Sequence, residues 1–157
     1  MNIFFLDYDP QKAAIYHCDK HVVKMITETS QLLSTAHHVL DRTDNKIFML
    51  PCYVNHPCNL WVRKSLQNYL WARNLLHHLI EEYDFRYEKY DNFRRARLIA
   101  EHDPPKNFPS LKWTKPYLAV PDDCKISEDP VECYREYYRK HKSKFATWKK
   151  RGAPAWF

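Results

Sequence analysis

The chain has 157 residues, 45% of them hydrophobic and 15% aromatic, a composition that suits one packed domain able to bury roughly two thirds of its unfolded surface. Its single glycine, Gly152, lies near the C-terminal end, which excludes phosphate-cradling loops, dinucleotide fingerprints and nucleophile elbows, because each needs glycine where the backbone turns tightly. Lys and Arg number 25 against 19 Asp and Glu, a formal charge of +6, and residues 131–157 hold eight of the cations and two of the acids. The whole excess is therefore C-terminal, pointing either to an anionic partner such as nucleic acid or to a solvated basic helix face.

In chain order, Asn2 to Leu6 reads as a short strand or a buried extended arm. Asp9 and Pro10 form an N-cap and first-turn pair that opens a helix expected to run to about Leu40. Its buried stripe is Ile15, Cys18, Val22, Met25, Ile26, Leu33, Ala36 and Leu40, recurring at three- and four-residue intervals. A loop over 41–55 follows, and Pro57 starts a second long helix with Leu60, Leu66, Leu70, Leu76, Leu79 and Tyr83 as core positions. A shorter helix is expected over Phe93 to Glu101. Five prolines between Asp103 and Pro121 rule out a regular element there, yet Phe108, Leu111, Trp113, Tyr117 and Leu118 are too apolar for a free linker, so the segment reads as a long loop wrapped over the helices. Asp129 and Pro130 open a last helix, with Val131, Tyr134, Tyr138, Phe145 and Trp148 on its inward side. The expected fold is all-α, a single domain over residues 1–157.

Five cysteines in an irregular set predict a reducing compartment, and MNIFFLDYDP lacks the basic and apolar regions of a secretory signal, so a soluble, cytoplasmic monomer is expected. The uncharged stretch from Ile47 to Val62 is broken by Pro51, Asn55, His56, Pro57 and Asn59 and does not suit a membrane span.

Two constellations could carry chemistry. On the first helix His17, His21, Lys24 and Glu28 follow at spacings of four, three and four, which lines them on one face as a row able to pass a proton; Lys24 and Glu28 equally suit an ordinary surface pair. His17 and His21 with Cys52, His56 and Cys58 offer zinc-type ligands, but without a familiar ligand spacing, and the expected chemistry uses no metal or organic cofactor.

Asp19, His21 and Glu28 have the form DxHx6E, which resembles the motif of the pyrimidine-dimer DNA glycosylases of the bacteriophage endonuclease V type. Asn55-His56 resembles that family's Gly-His before its aromatic-rich helix, and Ala146-Thr147-Trp148-Lys149-Lys150 resembles its Pro-Thr-Trp-Tyr-Lys. The resemblance implies a small helical enzyme whose N-terminal amine attacks C1′ of a damaged or modified nucleotide in double-stranded DNA, releasing the base and forming a Schiff base that can go on to abasic-site cleavage. It makes Glu28 the catalytic carboxylate, His21 a neighbouring helper in the DNA contact and the N-terminal amine the nucleophile; Asn2 disfavours methionine removal, so that amine belongs to Met1, with Lys20 or Lys24 as the alternative. An α-amine has a reference pKa of about 7.7 to 8.0 and is far more often neutral at pH 7 than a lysine near 10.4.

The family's flanking arginines correspond here to Thr27 and Gln31, which moves the expected phosphate contacts elsewhere. The candidate DNA-contacting residues are Asn2, His17, Lys20 and His56, then Arg63 and Lys64 on the second helix, and Trp148, Lys149, Lys150 and Arg151 at the C-terminal end. A non-catalytic nucleic-acid binder on the same scaffold and a zinc-stabilised helical protein are the competing expectations.

Overall fold

A computed structural model describes all 157 residues. It contains six α-helices, α1 Pro10–Tyr16, α2 Asp19–Asp41, α3 Pro57–Lys64, α4 Leu66–Tyr87, α5 Arg94–Glu101 and α6 Pro130–His141, with one 3-10 turn at Asp122–Cys124 and no strand. The fold is all-α, as the composition and periodicity lead one to expect. Helices α2 and α4 form the central pair; α1 packs on α4, and α3 and α5 pack on both. No helix is long and apolar enough to cross a membrane.

The N-terminal segment is a buried extended arm. Ile3, Phe4, Phe5 and Leu6 are each no more than 3% exposed. The twofold alternation of an extended chain sends successive side chains to opposite sides. Phe4 stacks on His21 of α2, ring centroids 4.3 Å apart, and meets Tyr134 and Tyr138 of α6 edge-on. Phe5 stacks on Trp71 of α4 at 4.2 Å and meets Trp61 of α3 edge-on. Burying each such side chain contributes on the order of 1.5–3 kcal/mol, so the arm is part of the core and not an appendage. With no strand beside it, its backbone finds other partners: Leu6 N donates to the Phe4 carbonyl at 3.0 Å, Arg135 to the Leu6 carbonyl at 2.9 Å and Trp71 Nε1 to the Tyr8 carbonyl at 2.7 Å.

The expected first helix is interrupted. Asp9 and Pro10 do open α1, with the Asp9 carboxylate accepting from Gln11 N, but the helix stops at Tyr16 and restarts at Asp19 with Cys18 as N-cap. The cause is Arg86 of α4, which is fully buried: its guanidinium donates to the carbonyls of Ile15 and His17 at 2.9 Å, and pairs with Asp19 at 3.0 Å and Glu82 at 2.9 Å. Carbonyls at the end of α1 that would continue a helix are thus satisfied from another element.

The expected second helix is broken as well. Ser65 adopts an extended conformation and caps α4, accepting from Asn68 N, while Leu66 N donates to the Ser110 carbonyl and Asn68 Nδ2 to the Trp61 carbonyl. This break rephases the apolar stripe, which explains why Leu60 is exposed while Trp61, Val62 and Tyr69 are buried. Helix α6 also ends earlier than the apolar spacing suggests, at His141, and Phe145 and Trp148 lie beyond it. The Pro-rich segment wraps as expected: Asp41 accepts from the backbone of Lys106 and Asn107, Trp61 Nε1 donates to the Thr114 carbonyl at 2.9 Å, and Trp113 packs edge-on against Trp61.

Replacing Arg86 by Met should lower stability by about 3–5 kcal/mol in urea denaturation, because Asp19 and Glu82 are left without a buried counter-charge and two helix-end carbonyls without their donor. Burial holds three histidines neutral, His17 at about 4, His21 at about 3 and His37 at about 4. Between the ordinary imidazole value near 6.5 and these lowered values the unfolded chain binds more protons than the folded one, so stability falls as pH falls through that window. Calorimetry from pH 7 to pH 4 should show a steady drop in Tm, with a shallower drop in His37→Gln.

Candidate functional site

The free end of the arm meets α2 at Glu28. The terminal amine of Met1 lies 3.7 Å from Glu28 Oε1, and the Asn2 backbone N–H donates to Glu28 Oε2 at 2.9 Å. Lys24, one helical turn earlier, places its ammonium 3.4 Å from Glu28 Oε1. The Glu28 side chain is 13% exposed and that of Lys24 59%, so the carboxylate sits at the boundary between core and solvent with one buried-side and one solvent-side amine on the same oxygen.

This placement is enforced by the Asn2 side chain. Its Oδ1 accepts from Ile3 N at 2.8 Å and lies 3.2 Å from the Tyr134 hydroxyl and 3.5 Å from Cys58 Sγ, while Nδ2 donates to the Ala119 carbonyl at 3.0 Å. Helix α3, helix α6 and the end of the wrapped loop therefore all grip position 2. His56 caps α3, its Nδ1 accepting from Cys58 N at 3.2 Å, which leaves the ring proton on Nε2. Burial, aided by the positive charge of the terminal amine and opposed by Glu28, pushes His56 below the usual imidazole range. The same amine acts on two thiols: burial raises Cys52, and raises Cys58 to about 11, while the amine's charge pulls both back. Met1, Lys24, Glu28, Cys52 and His56 thus form one electrostatic neighbourhood.

Other expected site residues are placed differently. His17 and His21 do not continue the polar row, because the break at Cys18 removes His17 from α2 and both rings lie in the core. The His17 ring is fully buried with Nδ1 2.6 Å from the Ala13 carbonyl, which leaves it no surface for DNA. His21 is buried and locked by Phe4 and by the Tyr138 hydroxyl at 2.6 Å from Nδ1, so it packs between arm and α6 and is not free to help in a DNA contact. Asn2 spends its amide inside the protein and is a positioning residue, not a DNA contact. The zinc-type set from the sequence does not converge either, since His17 and His21 are committed to core partners.

The C-terminal motif is an anchor. Asp19 N donates to the Thr147 carbonyl at 2.8 Å, the Asp19 carboxylate accepts from the Thr147 hydroxyl and Lys149 N, and Trp148 Nε1 donates to the Tyr16 carbonyl at 2.9 Å. Trp148 is 9% exposed, which corrects its assignment as a DNA contact. Lys150 pairs with Glu88, and Arg151 with Glu82 at 2.5 Å, so two of the three clustered cations already have carboxylate partners. Arg63 donates to the Val54 carbonyl at 2.6 Å, and Lys64 lies 3.2 Å from the Tyr117 hydroxyl.

Two lysines without a carboxylate partner lie near the first half of α2. Lys20 sits 5.0 Å over the Phe145 ring, and Lys142 sits 4.4 Å over Tyr137 and 5.9 Å over Phe4. Burial lowers the His21 ring, and the nearby charges of His17, Lys142 and Lys24 add to that effect. Lys142 carried no distinguishing signal in the sequence beyond membership of the basic run; only the return of the chain after α6 brings it to α2. Comparison with protein families, curated proteins and solved structures finds no match for this chain.

Proposed function

We propose that this protein is a DNA glycosylase that uses the terminal amine of Met1 as nucleophile and Glu28 as its carboxylate partner. The observation that carries this reading is the 3.7 Å approach of the amine to Glu28 on an arm buried along its length. A flexible terminus would lose that position to chain entropy; four buried apolar side chains and the Asn2 clamp hold it in place. The DxHx6E spacing over Asp19, His21 and Glu28 supports the same reading.

In this mechanism the neutral amine forms a bond to C1′ as the glycosidic bond breaks and the base leaves with its electron pair. Opening of the sugar ring, with the ring oxygen taking a proton, leaves an iminium between Met1 and C1′. Glu28 then accepts a C2′ proton, and β-elimination expels the 3′ phosphate. His56, with its proton on Nε2, is available as a donor to the departing base or a phosphate. The DNA face of this proposal is formed by Lys20 and Lys142, which lack a carboxylate partner, with Lys24 beside Glu28 and Lys149 at its margin, since an unpaired lysine meeting phosphate releases the counterions condensed there.

Borohydride added to the protein with abasic-site duplex DNA should trap a covalent adduct. Glu28→Gln should keep DNA affinity but lose strand cleavage by about 10²–10⁴-fold. Binding without any adduct would leave the non-catalytic binder as the reading. For the face, Lys20→Ala with Lys142→Ala should lower the slope of log affinity against log salt by about 0.9 for each lysine removed. Lys150→Ala with Arg151→Ala should change that slope less, because Glu88 and Glu82 already neutralise those side chains.

A further inference from the structure

Independently of the chemistry at Met1, we infer that Asp123, Cys124 and His141 form a zinc-binding site that joins the 3-10 turn to the end of α6. Their ligand atoms lie within 4.8 Å of one another. His141 Nε2 is 3.3 Å from Asp123 Oδ1, and Cys124 Sγ is 3.7 Å from the same oxygen. A tetrahedral zinc with Zn–S of about 2.3 Å, Zn–N of about 2.0–2.1 Å and Zn–O of about 2.0–2.2 Å needs S···O and S···N edges of roughly 3.5 Å and an N···O edge of roughly 3.4 Å. The two measured edges match to within a few tenths of an ångström, and the third, between Cys124 and His141, is no longer than 4.8 Å.

The donor set fits the metal. A thiolate, an imidazole and a carboxylate are the three ligand types that zinc accepts, and two anionic ligands neutralise the dication. Cys124 is fully buried, so the ion would be held on the protein side by sulfur, with a fourth position open to water between the two exposed ligands. The backbone is already arranged: Cys124 N donates to the Pro121 carbonyl at 3.0 Å, and Lys140 Nζ donates to the Asp123 carbonyl at 2.6 Å. Burial raises the Cys124 thiol, which in the metal-free state points its proton toward Asp123; on binding, that proton is released to solvent and the sulfur lone pair forms the Zn–S bond. The Lys140 ammonium, 3.9 Å from Asp123 Oδ2, has its own second partner in Glu136 at 3.5 Å and can turn to it when the ion enters. Of the other thiols, Cys133 donates to the Ser127 carbonyl and Cys58 to Asn2, and neither belongs to a set of three converging ligand atoms.

The test uses the full-length protein titrated with cobalt(II), which reports thiolate ligation by a sulfur-to-metal charge-transfer band, followed by zinc competition against a chromophoric chelator. The expected result is one equivalent of metal with the charge-transfer band, loss of that band in Cys124→Ala, and zinc binding at least about ten-fold weaker in His141→Gln and Asp123→Asn. Those last two positions are exposed, so the variants fold even if Cys124→Ala does not. Absence of the band, its persistence in Cys124→Ala, or unchanged zinc affinity in both His141→Gln and Asp123→Asn overturns the site.

Discussion

The structure depends on threading four apolar residues between its helices. Ile3 to Leu6 are as deeply buried as any helical core position, yet they have neither helix nor sheet to satisfy their backbone. That constraint makes the surrounding side chains donate inward: Arg135 to the Leu6 carbonyl and Trp71 to that of Tyr8, while the Asn2 side chain accepts from its own neighbour Ile3. An extended chain with four consecutive side chains buried has an end whose position is fixed too. The terminal amine at Glu28 is thus a consequence of core packing, and the site inherits its rigidity from the same hydrophobic contacts that stabilise the fold.

Arg86 is the second organising group. By taking the carbonyls that end α1 and the carboxylate that begins α2, it converts one long amphipathic pattern into two helices separated by a turn. Asp19 in turn receives the Thr147–Lys149 segment, so α1, α2, α4 and the C-terminal tail share one buried charge network. The electrostatic result is a cluster in which Arg86 and Arg151 face Glu82 and Asp19, close to balanced, and this is why the most basic stretch of the chain does not present its full charge to solvent.

Much of this was legible in the sequence, for identifiable reasons. Asp-Pro pairs marked the starts of α1 and α6 because a capping carboxylate and a residue without N–H are both suited to that position. The wrapped loop was legible from prolines interleaved with large apolar side chains. The helix breaks at Cys18 and Ser65 were not, since neither carries proline or glycine: one is made by Arg86, 69 residues along the chain from the His17 carbonyl it takes, and the other by a loop carbonyl at Ser110. Helix-ending signals were also muted, as Arg42 and Glu88 take the left-handed conformation that glycine would ordinarily mark. At the site, Glu28 and Lys24 were visible through their spacing on one helix. The clamp on Asn2 and the meeting of Asp123, Cys124 and His141 were invisible, because they depend on where distant segments return.

The central claim is that the reactive amine is the chain terminus held at Glu28. After reductive trapping on abasic-site DNA and digestion of both polymers, mass spectrometry locates the sugar remnant on a peptide. This account predicts the remnant on the α-nitrogen of the peptide beginning with Met1. A remnant on the Lys20 or Lys24 side chain would contradict it.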